Sequence, residues 1–317
     1  MKVFVTGVGG QLGHDVMNEL SKRGYEGIGS DIAPAYSGIQ DGTAVTQMPY
    51  VSMDITDRAS VEKTLLDASP DVVVHCAAWT AVDMAEDDDK VEKVRQVNAA
   101  GTENIALACK KLDCKMVYLS TDYVFDGQGT EPWQPDCKDY KPLNVYGQTK
   151  LEGELAVSGN LEKYFIVRIA WVFGTNGKNF IKTMLNLGKT HDHLRVVNDQ
   201  IGTPTYTYDL ARLLTDMSET DRYGYYHATN EGGYISWYDF TVEIFRQAAE
   251  LGHSEYNAVT VTPVTTEEYG ESKAKRPFNS RLDKSKLAAN GFTPLPTWQA
   301  LSTRREVQER PRPAKIW

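Results

Sequence analysis

A glycine-spaced turn after the first apolar run limits most strongly what this chain can fold into. The segment KVFVTGVGGQLG places Gly7, Gly10 and Gly13 between a predicted strand and a predicted helix. The first glycine permits a tight turn, the second lets backbone N–H groups approach a pyrophosphate, and the third lets the helix pack on the strand. Gln11 and Leu12 then lie at the positively polarised helix start. The pattern predicts a dinucleotide-binding βαβ unit.

Apolar strands alternate with amphipathic helices through the first half of the chain, including a long helix predicted over residues 90–112. Short apolar runs between helical patterns are typical of strands buried on both faces. The order predicts an α/β fold, a Rossmann-like doubly wound parallel sheet with a smaller C-terminal substrate-binding lobe. We assign residues 1–172 to the NAD(P)-binding domain, with residues 200–230 returning to it. Residues 173–199 and 231–317 form the predicted smaller lobe.

The second half has a looser pattern. It predicts an unbroken strand YFIVRIAWVFG and helices over residues 179–188, 208–218 and 236–251. A polar loop over residues 33–49 has no evident chemistry, and the proline-rich tail, residues 309–317, is expected to be frayed.

Charge and hydropathy exclude several classes of protein. The 34 basic and 43 acidic residues give a formal net charge of −9, which disfavours general affinity for nucleic acid or anionic membranes. No apolar run approaches the roughly 20 residues of a membrane span, and the start shows no signal-peptide pattern, so we expect a cytoplasmic protein. The four cysteines form no CxxC pair, and no metal site is assigned.

Residues at the ends of the next strands fit a bound dinucleotide. Asp31 ends the second strand, where a carboxylate can accept hydrogen bonds from the adenosine ribose. It would repel a 2′-phosphate, and no Lys or Arg follows before the next helix, so we expect NADH to be preferred over NADPH. Asp54 and Ile55 are placed to flank the adenine, although a loop acid and a core residue are the alternatives. Ala77 and Ala78 would let the cofactor lie close to the backbone.

A tyrosine and a lysine share one face of a later helix. Tyr146 precedes Lys150 by four residues and follows a strand that ends at Thr121. Ligands of open parallel sheets bind beyond such strand ends. The other pair with this spacing, Tyr269 and Lys273, lies in a charged loop and is interpreted as solvated surface.

Ketone reduction by a nicotinamide requires a hydride at carbon and a proton at oxygen. A tyrosine donates that proton well when its pKa falls from about 10 toward neutrality. We therefore expect the Lys150 ammonium to lower the pKa of Tyr146 and to bind the nicotinamide ribose. The Thr121 hydroxyl would hold the carbonyl oxygen.

With this Thr–Tyr–Lys set and its GxxGxxG turn, nearly the whole chain resembles the extended short-chain dehydrogenase/reductase family. The segments AAWTAVDMAE, STDYVFDG, YGQTKLEGE, RIAWVFG, DQIGTPT, SWYDF and KRPFNSRLD are similar to a subfamily that reduces the 4-keto group of a dTDP-sugar. The loop over residues 33–49 is longer than this family usually carries, and the ordinary last helix is missing from the sequence pattern.

The resemblance implies site residues and partners. Tyr146 becomes the proton donor, and Asn98 would belong to the helix beside the cofactor. Some relatives join two subunits through Mg²⁺ and glutamates, but those positions cannot be matched here, so Mg²⁺ stays open, as does monomer or homodimer. The resemblance also implies a set of substrate-binding residues, which are Thr80, Val82, Thr121, Asp122, Tyr123, Trp171 and Arg276. Three of them have plain alternatives: Val82 could be loop packing, Trp171 a core residue and Arg276 part of an exposed basic loop.

Two alternative functions stay open. A nucleotide-sugar epimerase or dehydratase would recycle the hydride on tightly bound NAD⁺, but a dehydratase usually carries Asp-Glu after the strand-end threonine, and here Asp122 and Tyr123 follow. A non-catalytic regulatory subunit resembling that of methionine adenosyltransferase would keep the cofactor site, and the intact pair of Tyr146 and Lys150 weighs against it.

Overall fold

The computed structural model describes residues 1–270 and 272–299. The tail over residues 309–317, the end of the predicted smaller lobe, lies outside the described residues. In chain order, the strands within the described residues are β1 (Lys2–Thr6), β2 (Glu26–Asp31), β3 (Tyr50–Ser52), β4 (Val72–His75), β5 (Lys115–Thr121), β6 (Tyr164–Ile169), β7 (Val172–Phe173), β8 (His193–Val197), β9 (Ile201–Gly202), β10 (Thr205–Tyr206), β11 (Gly224–His227), β12 (Ile235–Ser236) and β13 (Thr260–Val264).

The main sheet has seven strands in the order β11-β6-β5-β4-β1-β2-β3, and every pair is parallel. Strand order reverses between β1 and β4, where Val3 pairs with Val72 in register. This is the arrangement of a doubly wound sheet, whose ligands bind beyond the carboxyl ends of the strands at the reversal. The Rossmann-like α/β prediction is confirmed. The strand β11, from the second half of the chain, forms one edge of the sheet.

The helices cover both faces of the sheet and build a smaller body beside it. None among the described residues is long and apolar enough to cross a bilayer. The predicted helices over residues 179–188, 208–218 and 236–251 are confirmed within two residues. In chain order they are α1 (Gln11–Lys22), α2 (Arg58–Ala68), α3 (Val91–Arg95), α4 (Thr102–Leu112), α5 (Val145–Asn160), α6 (Phe180–Gly188), α7 (Thr207–Ser218), α8 (Trp237–Glu250), α9 (Thr266–Tyr269) and α10 (Ser285–Ala289).

The two apolar layers of the core arise because successive side chains of each strand point to opposite faces of the sheet. In β1 the side chains of Val3 and Val5 pack with α1 and α7, whereas Phe4 points to the opposite face and packs with α2 and α4. All three are fully buried. A third apolar cluster lies between α6, α8 and β8, around Leu185, Phe240 and nearby side chains. The sheet therefore carries two apolar layers, and the smaller body has a core of its own.

Two predicted elements are interrupted in the structure. The helix predicted over residues 90–112 contains a π-helical turn, Gln96–Gly101, between α3 and α4. The Thr102 hydroxyl, buried after this turn, donates to the Asn98 carbonyl oxygen at 2.7 Å. The strand predicted as YFIVRIAWVFG breaks between β6 and β7 because Trp171 has a φ of 52°, which is incompatible with a strand. Both interruptions lie next to the cavity described below.

Candidate active site

A cavity of about 770 Å³ lies beyond the carboxyl ends of the central strands. It runs from the glycine turn after β1 to Trp237 at the start of α8. The site residues predicted from sequence that line it are Gly7, Gly10, Gln11, Leu12, Gly13, Asp31, Asp54, Ile55, Ala77, Ala78, Thr80, Val82, Thr121, Asp122, Tyr123, Tyr146, Lys150 and Trp171. The fold thus brings together residues that are distant in the chain.

The glycine turn is a close-fitting cradle. Gly7 has a φ of +73°, and a Cβ added there would lie 2.6 Å from the Ala77 nitrogen. A Cβ on Gly13 would lie 2.3 Å from the Gly7 carbonyl oxygen. The N-cap residue of α1, Gly10, supplies no side-chain hydrogen bond, so the first N–H groups of the helix remain available at the cavity. These features fit a dinucleotide pyrophosphate, which binds backbone N–H groups at a helix N-terminus.

Two carboxylates line the end of the cavity beyond β2 and β3. Asp31 accepts hydrogen bonds from the Gly9 and Ile32 nitrogens, at 3.0 and 2.8 Å. For Asp54, burial raises the pKa, but hydrogen bonds from Thr56 and the charge of a lysine, Lys93, hold that pKa below its ordinary value.

Tyr146 lies in the first turn of α5, at the cavity wall. Its ring meets that of Tyr123 edge-on, with centroids 5.6 Å apart and an interplanar angle of 80°. Thr121, at the end of β5, donates its hydroxyl hydrogen to Asp122 Oδ1 at 3.0 Å and accepts from the Tyr123 nitrogen at 3.2 Å. The α5 start is fixed by its N-cap, Asn144, whose side-chain oxygen accepts from the Gly147 nitrogen. The end of β5 and the start of α5 therefore place the hydroxyls of Thr121 and Tyr146 at the same part of the cavity.

The pKa of Tyr146 differs from the sequence expectation. Burial raises this pKa well above its ordinary value, the charge of Asp122 adds to the rise, and only a hydrogen bond with Thr121 lowers it. The expectation that Lys150 would lower it is not met, because removing the phenolate from water outweighs the favourable contacts. Burial likewise raises the pKa of Asp122 to about 6, opposed by hydrogen bonds from Ser280 and Thr121.

Lys150 lines the cavity but is only 3% exposed. Its Nζ donates to the Leu119 carbonyl oxygen at 2.6 Å and lies 4.2 Å from the centroid of the Tyr118 ring. Burial lowers the pKa of Lys150 to about 7, against the opposing charge of Glu154. A carbonyl oxygen and an aromatic face both favour the ammonium form, so the charge is retained up to neutral pH.

Several lining residues escaped the sequence analysis. None of them was assigned to the site from the sequence, and they are Cys76, Lys93, Lys178 and Trp237. The last stacks on Trp171 at a centroid distance of 3.7 Å. No local pattern identifies Lys178 or Trp237, since they reach the cavity from remote segments.

Ser120, directly before Thr121, is not among the site residues predicted from the sequence. Its hydroxyl is buried at the cavity and has no hydrogen-bond partner among the residues the structure describes. An orphaned buried hydroxyl at this position fits a ligand that supplies the missing partner.

Two predicted site residues lie outside the cavity lining. Asn98 is fully buried in the π-helical turn, where it accepts from the Trp79 nitrogen at 2.8 Å and donates to the Trp79 carbonyl oxygen at 3.2 Å. The Arg276 guanidinium is bonded through two nitrogens to the Asp83 carboxylate, at 3.1 and 2.6 Å. Asn98 therefore supports the wall, and Arg276 is neither a free cation nor part of the cavity surface. Within the described ranges, no group of three or more His, Cys, Asp or Glu side chains could hold a metal.

Comparison with known proteins agrees with this geometry. The family described as the RmlD substrate binding domain matches residues 1–307. The chain is 37% identical to the spore coat polysaccharide biosynthesis protein SpsK of Bacillus subtilis over 98% of both chains. It is 36% identical to the dTDP-4-dehydrorhamnose reductase of Aggregatibacter actinomycetemcomitans, over 97% of this chain and 99% of the relative.

Solved structures show the same relationship. A dTDP-4-dehydrorhamnose reductase from Clostridium acetobutylicum superposes with a TM-score of 0.83 at 40% identity, covering 97% of this chain and 99% of its own. The enzyme of that name from Bacillus anthracis, in complex with NADP, gives 0.81 at 35% identity with the same coverage. A family match over almost the whole length, supported by relatives well above 30% identity, shows that the chain belongs to the RmlD substrate binding domain family.

Proposed function

We propose that this chain uses NAD(P)H to reduce the 4-keto group of dTDP-4-dehydro-L-rhamnose, giving dTDP-L-rhamnose. The observation that most strongly supports this proposal is that Thr121, Tyr146 and Lys150 line the same cavity as the glycine cradle. Relatives that align over nearly the whole chain bear the name dTDP-4-dehydrorhamnose reductase, and one was solved with NADP. A nicotinamide cofactor and a dTDP-sugar are therefore the ligands we assign to the cavity.

The chemistry divides between the cofactor and the chain. When bound, the reduced nicotinamide supplies the hydride for the sugar carbonyl carbon. Thr121 orients the keto oxygen through its hydroxyl, and Tyr146 donates a proton to that oxygen. A buried phenol with a raised pKa is fully protonated at neutral pH, which is the form that a proton donor needs. The Lys150 ammonium stabilises the phenolate left behind and binds the nicotinamide ribose.

The residues that line the cavity also support an orientation for the cofactor. Gln11 and Leu12 offer backbone N–H groups to the pyrophosphate, and Asp31 accepts from the adenosine ribose. NADH is our preferred cofactor because the Asp31 carboxylate repels a 2′-phosphate. Lys93 and Lys178 line the same cavity and reduce that repulsion, so NADPH is expected to work less well rather than not at all.

The sugar lies at the opposite end of the cavity in this proposal. Thr80, Val82, Tyr123 and Trp171 line that end, and Trp237 supports Trp171 by stacking. The left-handed backbone at Trp171 is unfavourable for a residue with a bulky side chain, and such strained residues cluster at functional sites. We keep the division into a cofactor domain, residues 1–172 with 200–230, and a substrate lobe as part of the proposal.

The test is an assay of the full chain with dTDP-4-dehydro-L-rhamnose generated in situ. We expect consumption of NADH, slower consumption of NADPH, and formation of dTDP-L-rhamnose in equal amount. Two results would contradict the proposal. Retention of NAD⁺ through purification with no net consumption of NADH would indicate an epimerase or dehydratase. Cofactor binding without any turnover would indicate a regulatory subunit.

A further inference from the structure

One buried side-chain amide connects the glycine turn to the loop over residues 33–49, for which the sequence indicates no chemistry. Asn176, in the connection between β7 and α6, is 3% exposed. Its amide nitrogen donates to the carbonyl oxygens of Gly9 and Gly10, at 2.8 and 2.9 Å. Its amide oxygen accepts from the Ile39 nitrogen at 3.1 Å. Two donors and one acceptor are thus used, and asparagine is among the few side chains that can offer both.

The loop over residues 33–49 is itself docked on α1. The Tyr36 hydroxyl hydrogen-bonds His14 Nδ1 at 2.6 Å, and Asn18 Oδ1 accepts from the Val45 nitrogen at 3.0 Å. The Asp41 carboxylate lies 3.5 Å from His14 Nε2 with only 3% of its side chain exposed. A connecting loop with no function of its own would not need three separate attachments to the first helix, one of them through a buried carboxylate.

The peptide group between Gly9 and Gly10 is consequently held through both its N–H and its carbonyl oxygen, and the next one, between Gly10 and Gln11, is held through its carbonyl oxygen. The Gly9 nitrogen donates to Asp31 Oδ2 at 3.0 Å and the Gly10 nitrogen to the Gly7 carbonyl oxygen at 3.0 Å. Asn176 holds the two carbonyl oxygens. Glycine peptides are the ones most free to rotate, because no Cβ restricts them. Fixing these two planes fixes the direction of the N–H groups that follow.

We propose that Asn176 is a positioning residue for the dinucleotide, and that the loop over residues 33–49 helps to hold Asn176 and α1 in place around the glycine turn. This rests on the proposed function, whose cofactor site it deepens. Asn176 acts through Gly9 and Gly10, which it prevents from rotating, so that the first N–H groups of α1 remain directed at the pyrophosphate. Preorganisation of this kind raises affinity by reducing the ordering that binding requires.

The experiment compares Asn176→Ala with a matched control, Asn160→Ala. The control removes an amide whose nitrogen donates to the Ala156 carbonyl oxygen near the end of α5, away from the cavity. For Asn176→Ala we expect the Kd for NADH, measured by fluorescence titration, to rise about tenfold, because only part of the free energy lost with its three hydrogen bonds, each about a factor of five, is expressed in the affinity. At saturating NADH, kcat and the KM for the sugar nucleotide should stay within about twofold. Asn160→Ala should leave all three values unchanged.

A second measurement needs no cofactor. Amide hydrogen exchange at Gly9 and Gly10, whose nitrogens donate to Asp31 and to the Gly7 carbonyl oxygen, should be faster in Asn176→Ala than in the unsubstituted chain, because the turn is released. A folded variant with unchanged exchange and unchanged Kd would overturn the inference, as would a variant that loses kcat and keeps its Kd. If the unsubstituted chain bound neither NADH nor NADPH, the proposed function would fail instead.

The part assigned to the loop over residues 33–49 is tested by Tyr36→Phe, which keeps the ring and removes the hydroxyl that bonds His14. We expect a rise of about threefold in the Kd for NADH, smaller than for Asn176→Ala because only one attachment of the loop is lost. An unchanged Kd in Tyr36→Phe together with a tenfold rise in Asn176→Ala would overturn the part assigned to the loop.

Discussion

The two ends of the cavity are built in opposite ways. The cradle after β1 consists of backbone from one short stretch of chain, and its fit depends on atoms that glycine lacks. The reaction end consists of side chains from β5, α5 and the β6–β7 junction, and depends on atoms that are present. The difference teaches that a substitution should harm the first end by adding a carbon and the second by removing an oxygen or a charge.

The largest expected effect tests the reaction end. Tyr146→Phe removes the phenolic hydroxyl and keeps the ring, so the proposed proton donor is lost while the edge-on contact with Tyr123 remains. We expect kcat to fall about 10³-fold, within the range of general acid catalysis, with the Kd for NADH unchanged. Steady-state assays and a fluorescence titration measure the two values.

The chain offers a matched control for that variant. Tyr269 also precedes a lysine by four residues, but it is 59% exposed. Tyr269→Phe should leave kcat unchanged, since Tyr269 does not line the cavity that holds Tyr146. A comparable loss of kcat and NADH affinity in Tyr146→Phe would show that Tyr146 is structural.

The next effect tests the cradle by adding one carbon. In Gly13→Ala the new Cβ would lie 2.3 Å from the Gly7 carbonyl oxygen, so helix and turn must separate. We expect the Kd for NADH to rise about 100-fold, because the N–H groups then no longer converge on the pyrophosphate. Gly159→Ala, where an added Cβ meets nothing within 4 Å, is the control and should be neutral. If both variants bound NADH normally, the cradle would have no role in binding.

The pH dependence of the rate distinguishes the two ends further. Burial lowers the pKa of Lys150 to about 7, so its ammonium form is present below pH 7 and is lost as the pH rises. The kcat/KM for the sugar nucleotide should therefore fall about tenfold per pH unit above that pKa. The Kd for NADH should rise less, because only the contact of Lys150 with the ribose is lost and the backbone cradle does not titrate. In Lys150→Met the residual rate should no longer fall. An unsubstituted chain with a flat profile from pH 6 to 9 would exclude a role for the ammonium.

The smallest expected effect concerns the choice of cofactor. Asp31→Asn keeps an oxygen that can accept from the Gly9 nitrogen and removes the negative charge. The ratio of kcat/KM with NADPH to that with NADH should rise about fivefold, because repulsion of the 2′-phosphate is relieved. Asp67→Asn makes the same charge change on the exposed end of α2 and should leave the ratio alone. A ratio that falls in Asp31→Asn would contradict our NADH preference.

The sequence predicted what depends on neighbouring residues. Gly7, Gly10 and Gly13 act within one turn, so their spacing is sufficient to place them. The spacing of Tyr146 and Lys150 fixes a common helix face, and both line the cavity. These are short-range constraints on the backbone, which any chain of this pattern must obey.

What the sequence could not predict depends on packing between remote segments. Lys178 and Trp237 reach the cavity only because the smaller body folds against the sheet. The ionic bond of Arg276 with Asp83 joins residues far apart in the chain, so the free cation expected from sequence could not be excluded. The raised pKa of Tyr146 comes from burial, a property of the whole fold rather than of a residue four positions away.

The π-helical turn between α3 and α4 has a consequence for how this protein can vary. A π-helical turn takes up one extra residue by widening, so the helix beyond it keeps the orientation of a regular α-helix that lacks that residue. Lys93, before the turn, faces the cavity, and Ile105, after it, is fully buried in the core. Deleting a single residue in the turn would leave a regular helix with both side chains on their present sides, whereas a deletion between α4 residues would rotate the remainder of that helix by about 100°. Loss of one residue should therefore be tolerated better in this turn than in the helix that follows it.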